Sequence, residues 1–221
     1  MEHFQPVHGL ARAASILVGV VAVGNVANAA SDWFTYATIR DYRDRVVPVA
    51  DLRTADKISL LTGTSVTLLT LVAGIVFMMW TYNARINAER LTYANEHRQS
   101  RVWVWLGWLV PVVNLWFPKQ IIDDIWRASD PRQQGVPLQQ RVKARLTTQW
   151  WIAFVLMWLF DRAYVRTYIN GEMTTDSFLN AAVFSTIAAV TGIVAAVCAV
   201  QVVQRISGFQ HSPVPLQSSS D

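Results

Sequence analysis

Asp123 and Asp124 are adjacent carboxylates just beyond a run of tryptophans, where a lipid-modifying membrane enzyme would hold Mg²⁺. The multi-aspartate spacing of such motifs is missing, and Lys119 and Arg127 lie one helical turn to either side of Asp123. Lys119–Asp123 and Asp123–Arg127 are four-residue pairs that suit surface salt bridges on a helix. The carboxylates therefore read as structural, and the chain is not expected to be an enzyme. Its histidines (His3, His8, His97 and His211) are scattered, with no paired-His, HExxH or CxxC spacing, so neither a metal nor a cofactor is expected. Cys198 is the only cysteine and lies in an apolar run, which suits a small packing residue. Asn114, set between Pro111 and Pro118, has both a donor and an acceptor. Such an amide can cap backbone groups freed by the prolines, or contact a ligand.

The element that must position Asn114 is the block Trp103–Pro118, with four tryptophans, two prolines and no charge. An interior proline deletes a hydrogen bond and kinks a helix. In lipid, freed carbonyls need a partner. A broken, re-entrant segment sheltered by other helices fits both constraints; a kinked fifth span is the alternative. After Pro118, Ile121, Ile122, Ile125 and Trp126 alternate with Lys119, Asp123, Asp124 and Arg127. One apolar and one charged face result, as in a helix lying in the membrane interface.

Composition places the rest. Of 221 residues 52% are apolar and only 15% charged, against about 25% in soluble domains. The charges leave long uncharged runs, Ala13–Ser31, Ile58–Ala84 and Ser177–Gln204, each near the ~20 residues needed to cross a bilayer. Leu146–Phe160 is shorter and spans if the helix continues past Asp161 and Arg162 toward Tyr168. The fold class read from this is all-α: a polytopic membrane helix bundle of four transmembrane helices, a Trp/Pro-rich re-entrant segment and an interfacial amphipathic helix. Residues 1–210 form a single integral membrane domain, and 211–221 a disordered tail. Ala27-Asn28-Ala29 imitates a signal-peptide cleavage site, but the weak basic start and the following Trp33, Phe34 and Tyr36 favour an uncleaved span.

Stripes of small residues mark the packing faces. Ala181, Ser185, Ala188, Gly192, Ala195 and Ala199 recur at four and three, as do Gly63, Thr67, Thr70 and Gly74. Small residues let membrane helices approach closely. Asn25 and Asn28, one turn apart, are expected inside the bundle as an interhelical clamp. Counting Lys and Arg puts twelve of the 19 on the side that holds residues 83–101, which is therefore cytoplasmic.

Gly107-Trp108-Leu109-Val110-Pro111-Val112-Val113-Asn114-Leu115-Trp116-Phe117-Pro118, followed by Ile125-Trp126-Arg127-Ala128-Ser129-Asp130-Pro131, resembles the signature W-x-x-P-x-x-N-L-x-x-P…W-x-A-S-x-P. That signature marks the domain-of-unknown-function 4328 family of actinobacterial membrane proteins. The resemblance covers most of residues 10–205 and implies a cytoplasmic N-terminus, hence four spans with both termini cytoplasmic. It implies no activity and no catalytic residues.

The function expected is that of a non-enzymatic integral protein of the bacterial cell envelope, in the plasma membrane. It presents the broken Trp/Pro helix and the interfacial helix to lipid or to a membrane partner, or to a second copy of itself. Trp108, Pro111, Asn114, Trp116, Pro118, Trp126 and Arg127 are the candidate contacts. Arg127, Arg132, Arg141, Lys143 and Arg145 could meet phosphate headgroups. The alternative is a small oligomeric transporter or channel built on the break around Asn114. Nucleic acid is excluded for want of a soluble basic face.

Overall fold

A computed structural model describes residues 4–170 and 174–211. The expected disordered tail beyond His211 and residues 171–173 lie outside the described residues. Six α-helices form: α1 His8–Arg43, α2 Val49–Leu91, α3 Trp103–Leu109, α4 Phe117–Ser129, α5 Arg145–Asn170 and α6 Thr175–Phe209. Short 3₁₀ turns lie in the connections from α2 to α5, and no strand is present among the described residues.

Local chemistry sets the breaks. α1 runs unbroken through Ala27–Ala29 and stops at Arg45, whose φ of 60° is left-handed. Arg45 N–H bonds to the Tyr42 carbonyl and Val46 N–H to the Asp41 carbonyl, the paired bonds that close a helix C-terminus. Pro48 then cannot continue α1, and α2 begins beyond it. Pro118 sits in the first turn of α4, where its missing N–H costs nothing.

At 1.5 Å per residue, the 36, 43 and 35 residues of α1, α2 and α6 give lengths well beyond the ~30 Å hydrocarbon core. These three helices are long and apolar enough to cross a membrane by length and composition. α5, expected as a further span, has 26 residues, but its tryptophans, glutamine and Asp161, Arg162 and Arg166 dilute its hydropathy. The seven residues of α3 reach only ~10 Å, too short to cross.

The chain divides into two compact units. Unit 1 comprises Met1–Ile16, Gly74–Trp151 and Cys198–Asp221, and unit 2 comprises Leu17–Ala73 and Ile152–Val197. Unit 1 has a mixed core of Trp80, Ala84, Ala88, Ile121, Ile122, Ile125, Leu138, Val202 and Ile206. Trp80 donates its indole N–H to Ser207 Oγ at 3.0 Å, so this fully buried ring leaves no polar atom unsatisfied.

Unit 2 is inverted relative to a soluble protein. Val23, Leu60, Leu61, Leu68 and Leu71 are exposed, as are Val190 and Val194, while Asp32, Thr35 and Ser185 are buried. Apolar area of that extent facing outward needs a nonaqueous neighbour. On α6, Ala181, Ser185, Gly192, Ala195 and Ala199 are buried and Ala188 is half-buried. A Cβ on Gly192 would stand 3.2 Å from Met157 Sδ of α5 and 3.9 Å from Asn25 Nδ2 of α1. The α2 stripe requires a correction. Thr67 and Thr70 are exposed and bond back to the Gly63 and Val66 carbonyls, and a Cβ on Gly74 would meet nothing within 4 Å. Of the two glycines, a Cβ on Gly63 would approach another helix, standing 3.6 Å from Asn28 Oδ1 of α1. Spacing shows that a face is small; it does not show that a partner covers it.

Candidate functional site

All the candidate residues between positions 103 and 149 lie in unit 1, and α4 is its centre. The interfacial reading of α4 is overturned, because every residue from Ile121 to Asp130 is buried, the charged face included. Asp124 is 0% exposed and Arg127 2%. Buried charges are tolerated only when paired and hydrogen-bonded, and here they are. Asp124 accepts from Arg98 Nη2 at 2.8 Å, from the Arg98 backbone N–H at 3.0 Å and from Arg127 Nη2 at 2.8 Å. Lys119 Nζ meets Asp123 Oδ2 at 2.7 Å, the pair that the four-residue spacing suggests. Arg127 does not pair with the Asp123 carboxylate; its Nε reaches only the Asp123 carbonyl at 3.4 Å and its Nη1 the Leu138 carbonyl at 3.3 Å.

Arg141 closes the other end of α4. Its Nη1 donates to the Arg127 and Ala128 carbonyls at 2.9 and 3.3 Å, supplying a cation to carbonyls that a helix C-terminus leaves unpaired. Arg127 and Arg141 are thus committed internally, which corrects their expected role as headgroup contacts. Ser129 Oγ accepts from Gln210 Nε2 at 2.8 Å, and Trp126 stacks edge-on against Phe209 at 5.6 Å. The W-x-A-S-x-P stretch is therefore what docks α4 on the end of α6.

A second ionic knot holds the segment before α3. Glu89 is bound by Arg85 Nε at 2.8 Å and by Arg101 Nε at 2.7 Å. His97 Nε2 lies 3.0 Å from Thr92 Oγ1, whose own proton goes to the Ala88 carbonyl, so the ring must donate through Nε2. Burial, reinforced by the Arg85 charge, pushes His97 down to about 4, and it stays neutral.

The Trp/Pro block folds as a knuckle. Trp108 stands edge-on to Phe77 at 6.1 Å and to Trp151 at 6.3 Å, and Trp103 packs on Phe117 at 4.8 Å. A Cβ on Gly107 would stand 3.4 Å from Phe117 Cβ, which is how closely α3 folds back on α4. At the bend Val113 N–H bonds to the Pro111 carbonyl at 2.9 Å, with Val112 at φ 70°, ψ −55°. This is a γ-turn in its strained, positive-φ form, on a β-branched residue. The Asn114 side chain makes no hydrogen bond among the described residues, so the expected cap is absent. Backbone bonds within the turn and Trp151 Nε1 to the Leu115 carbonyl, 3.1 Å, hold the break instead. Leu109 and Val112 are 73% and 64% exposed, and Pro111, Leu115 and Trp116 are exposed with them. Trp108 and Asn114 are half-buried beside this tip, whereas Pro118, Trp126 and Arg127 lie in the interior.

Beside α4 a pocket of about 630 Å³ opens, lined by Trp126, Asp130, Arg132, Lys143, Arg145 and Arg205, with Gln133, Gln149 and Gln201. Asp130 is spoken for: Arg132 binds it at 2.9 and 2.8 Å, and chiefly this bond holds its carboxyl below the ordinary range. Lys143, Arg145 and Arg205 are exposed, and among the described residues they make no ion pair. The first turn of α5 starts in this wall with no acidic residue and no capping side chain at Ala144. Its unpaired N–H groups add positive potential to three free cations. Arg205 was missed from sequence because it is some sixty positions from the other lysines and arginines of the wall; nothing in its neighbourhood signals a pocket.

Among the described residues, no three His, Cys, Asp or Glu side chains come close enough to share a metal ion. Three helices apolar enough for a bilayer, and no strand among the described residues, define an all-helical protein of membrane type. The chain belongs to the family described as domain of unknown function (DUF4328), whose model matches residues 43–208, more than half of its length. No curated protein and no solved structure matches it.

Proposed function

We propose that this chain is a non-enzymatic, multi-pass protein of the bacterial plasma membrane that holds the phosphate of an anionic lipid in the pocket of unit 1. The observation that carries this reading is the pocket itself: Lys143, Arg145 and Arg205 converge with an uncapped helix start, and no acid among the described residues pairs with them. A lipid phosphodiester supplies the missing charge, and the ~1 kcal/mol that each basic residue gains near an anionic surface adds to it. The knuckle is the second support. Leu109, Val112, Leu115 and Trp116 form an apolar tip that dips into the acyl region without crossing it, because α3 is too short.

In this reading α5 is the fourth span. Ile152, Leu156 and Leu159 are exposed along one face of it, matching the outward faces of α1, α2 and α6. Both termini and the pocket lie on the cytoplasmic side, where Lys and Arg are in excess. Apart from the Asn114 amide, the side chains exposed at the break (Leu109, Pro111, Val112, Leu115 and Trp116) are apolar or aromatic, which favours anchoring over conduction. Asp123 and Asp124 are neutralised by Lys119, Arg98 and Arg127, which favours a binding role over catalysis.

Native mass spectrometry of the purified protein tests the reading with phosphatidylglycerol against phosphatidylcholine, and with inorganic phosphate as the free-anion control. Wild type retains phosphatidylglycerol selectively, and Lys143→Gln/Arg145→Gln/Arg205→Gln loses at least about ten-fold of that retention, two to three charge contacts being worth over 1.4 kcal/mol. Equal retention of both lipids, or no loss in the triple variant, contradicts it. Competition by inorganic phosphate alone would assign the pocket to a soluble anion.

A further inference from the structure

Unit 2 buries a carboxyl group with no cation beside it. Asp32 of α1 is 2% exposed. Its Oδ1 accepts the Tyr164 hydroxyl of α5 at 3.1 Å, and its Oδ2 accepts Asn28 Nδ2, one turn earlier on α1, at 3.2 Å. Ser185 of α6 reaches the same carboxyl. No lysine, arginine or histidine pairs with it among the described residues. An ionised carboxylate in such surroundings is far costlier than the neutral acid.

Burial without a cation is what favours the acid, against Asn28 and Tyr164, which each bring a donor to one carboxyl oxygen. Ser185 Oγ also bonds its own helix, donating to the Ala182 carbonyl at 3.1 Å. The other titratable groups facing the site are themselves acids. Tyr168 stacks on Tyr164 with ring centroids 5.2 Å apart, and Asp56 of α2 acts on Tyr168. Arg162 of α5 is drawn over the Trp158 ring at 5.3 Å. On α6 the stretch from Ala181 to Ala189 carries no ionisable residue.

We propose that Asp32 is a proton-binding site in the membrane-spanning helices, a buried acid of α1 joined to α5 through Tyr164. The ligand is a proton rather than a metal cation, because Asn28 and Tyr164 turn donors, not lone pairs, toward the carboxyl. Losing the proton leaves a buried carboxylate whose charge is met by the Asn28 and Tyr164 donors and by no cation among the described residues. The site is independent of the lipid pocket and of residues 103–149.

Infrared difference spectroscopy on the full-length protein in phosphatidylcholine vesicles reads the site directly. Wild type minus Asp32→Asn shows a protonated-carboxyl C=O stretch at neutral pH that disappears as the pH is raised. Should the Asn variant fail to fold, Asp32→Glu keeps the acid and moves the band, which assigns it equally well. Carboxylate bands at neutral pH in place of the C=O stretch overturn the proposal. So does loss of the stretch on adding Na⁺ at constant pH, which would make this a metal-cation site.

Discussion

Val112 stores backbone strain in this fold, and His97 makes it sensitive to pH. A valine at φ 70° is held there by the bonds around it, at a cost on the order of 1–3 kcal/mol. Val112→Gly relieves that strain and is expected to raise stability in detergent by about 1 kcal/mol, read by thermal unfolding; equal or lower stability would show the turn to be unstrained. Asn114→Leu, by contrast, removes no hydrogen bond and is expected to be neutral within about 0.5 kcal/mol. His97 sets a pH window. The unfolded chain takes up its proton near the ordinary 6.5 and the folded protein only near 4, so the unfolded state binds more protons between those values. Stability is therefore complete above pH 6.5 and drains as the pH falls toward 4, by roughly 3 kcal/mol. His97→Gln should flatten that window in a pH series of melting curves; an unchanged slope assigns the acid sensitivity elsewhere. The sequence exposed Asn114 as odd but could not show that backbone turns, not its amide, satisfy the break. Asp32 was hidden differently: its partners Tyr164 and Ser185 come from helices more than a hundred positions away.

At the scale of the element, α4 and α6 teach opposite lessons. The alternation of isoleucines with charges along α4 is genuine, yet both faces are covered, because Arg98 arrives from before α3 and Arg141 from beyond α4. An amphipathic pattern fixes which face is polar; only tertiary structure decides whether water touches it. The α6 stripe was legible because small residues at four and three leave room for one kind of neighbour, and Met157 fills it at Gly192. Gly192→Leu must displace that side chain and is expected to cost about 1–3 kcal/mol, whereas Val194→Leu, on the exposed side, is near neutral. Equal melting temperatures for the two variants would show that the α6 face is not tightly packed.

For the whole molecule, composition and charge clustering disclosed an all-helical, membrane-type chain, and the Trp/Pro signature disclosed its family. Span number was not legible, since five spans and four spans with a re-entrant block divide Lys and Arg identically. The short α3 and its fold back onto α4 are what favour re-entry. The lipid reading depends on that geometry, because the knuckle must leave the bilayer on the side it entered for pocket and tip to meet one leaflet. Cysteine accessibility in intact cells tests it most directly, in a Cys198→Ala background with single cysteines at Ser100 and Gln134, both exposed and flanking the block. A membrane-impermeant thiol reagent applied from outside should label neither position until the membrane is opened, and then label both. Labelling of one position from outside and of the other only after opening would establish a fifth crossing and contradict the account.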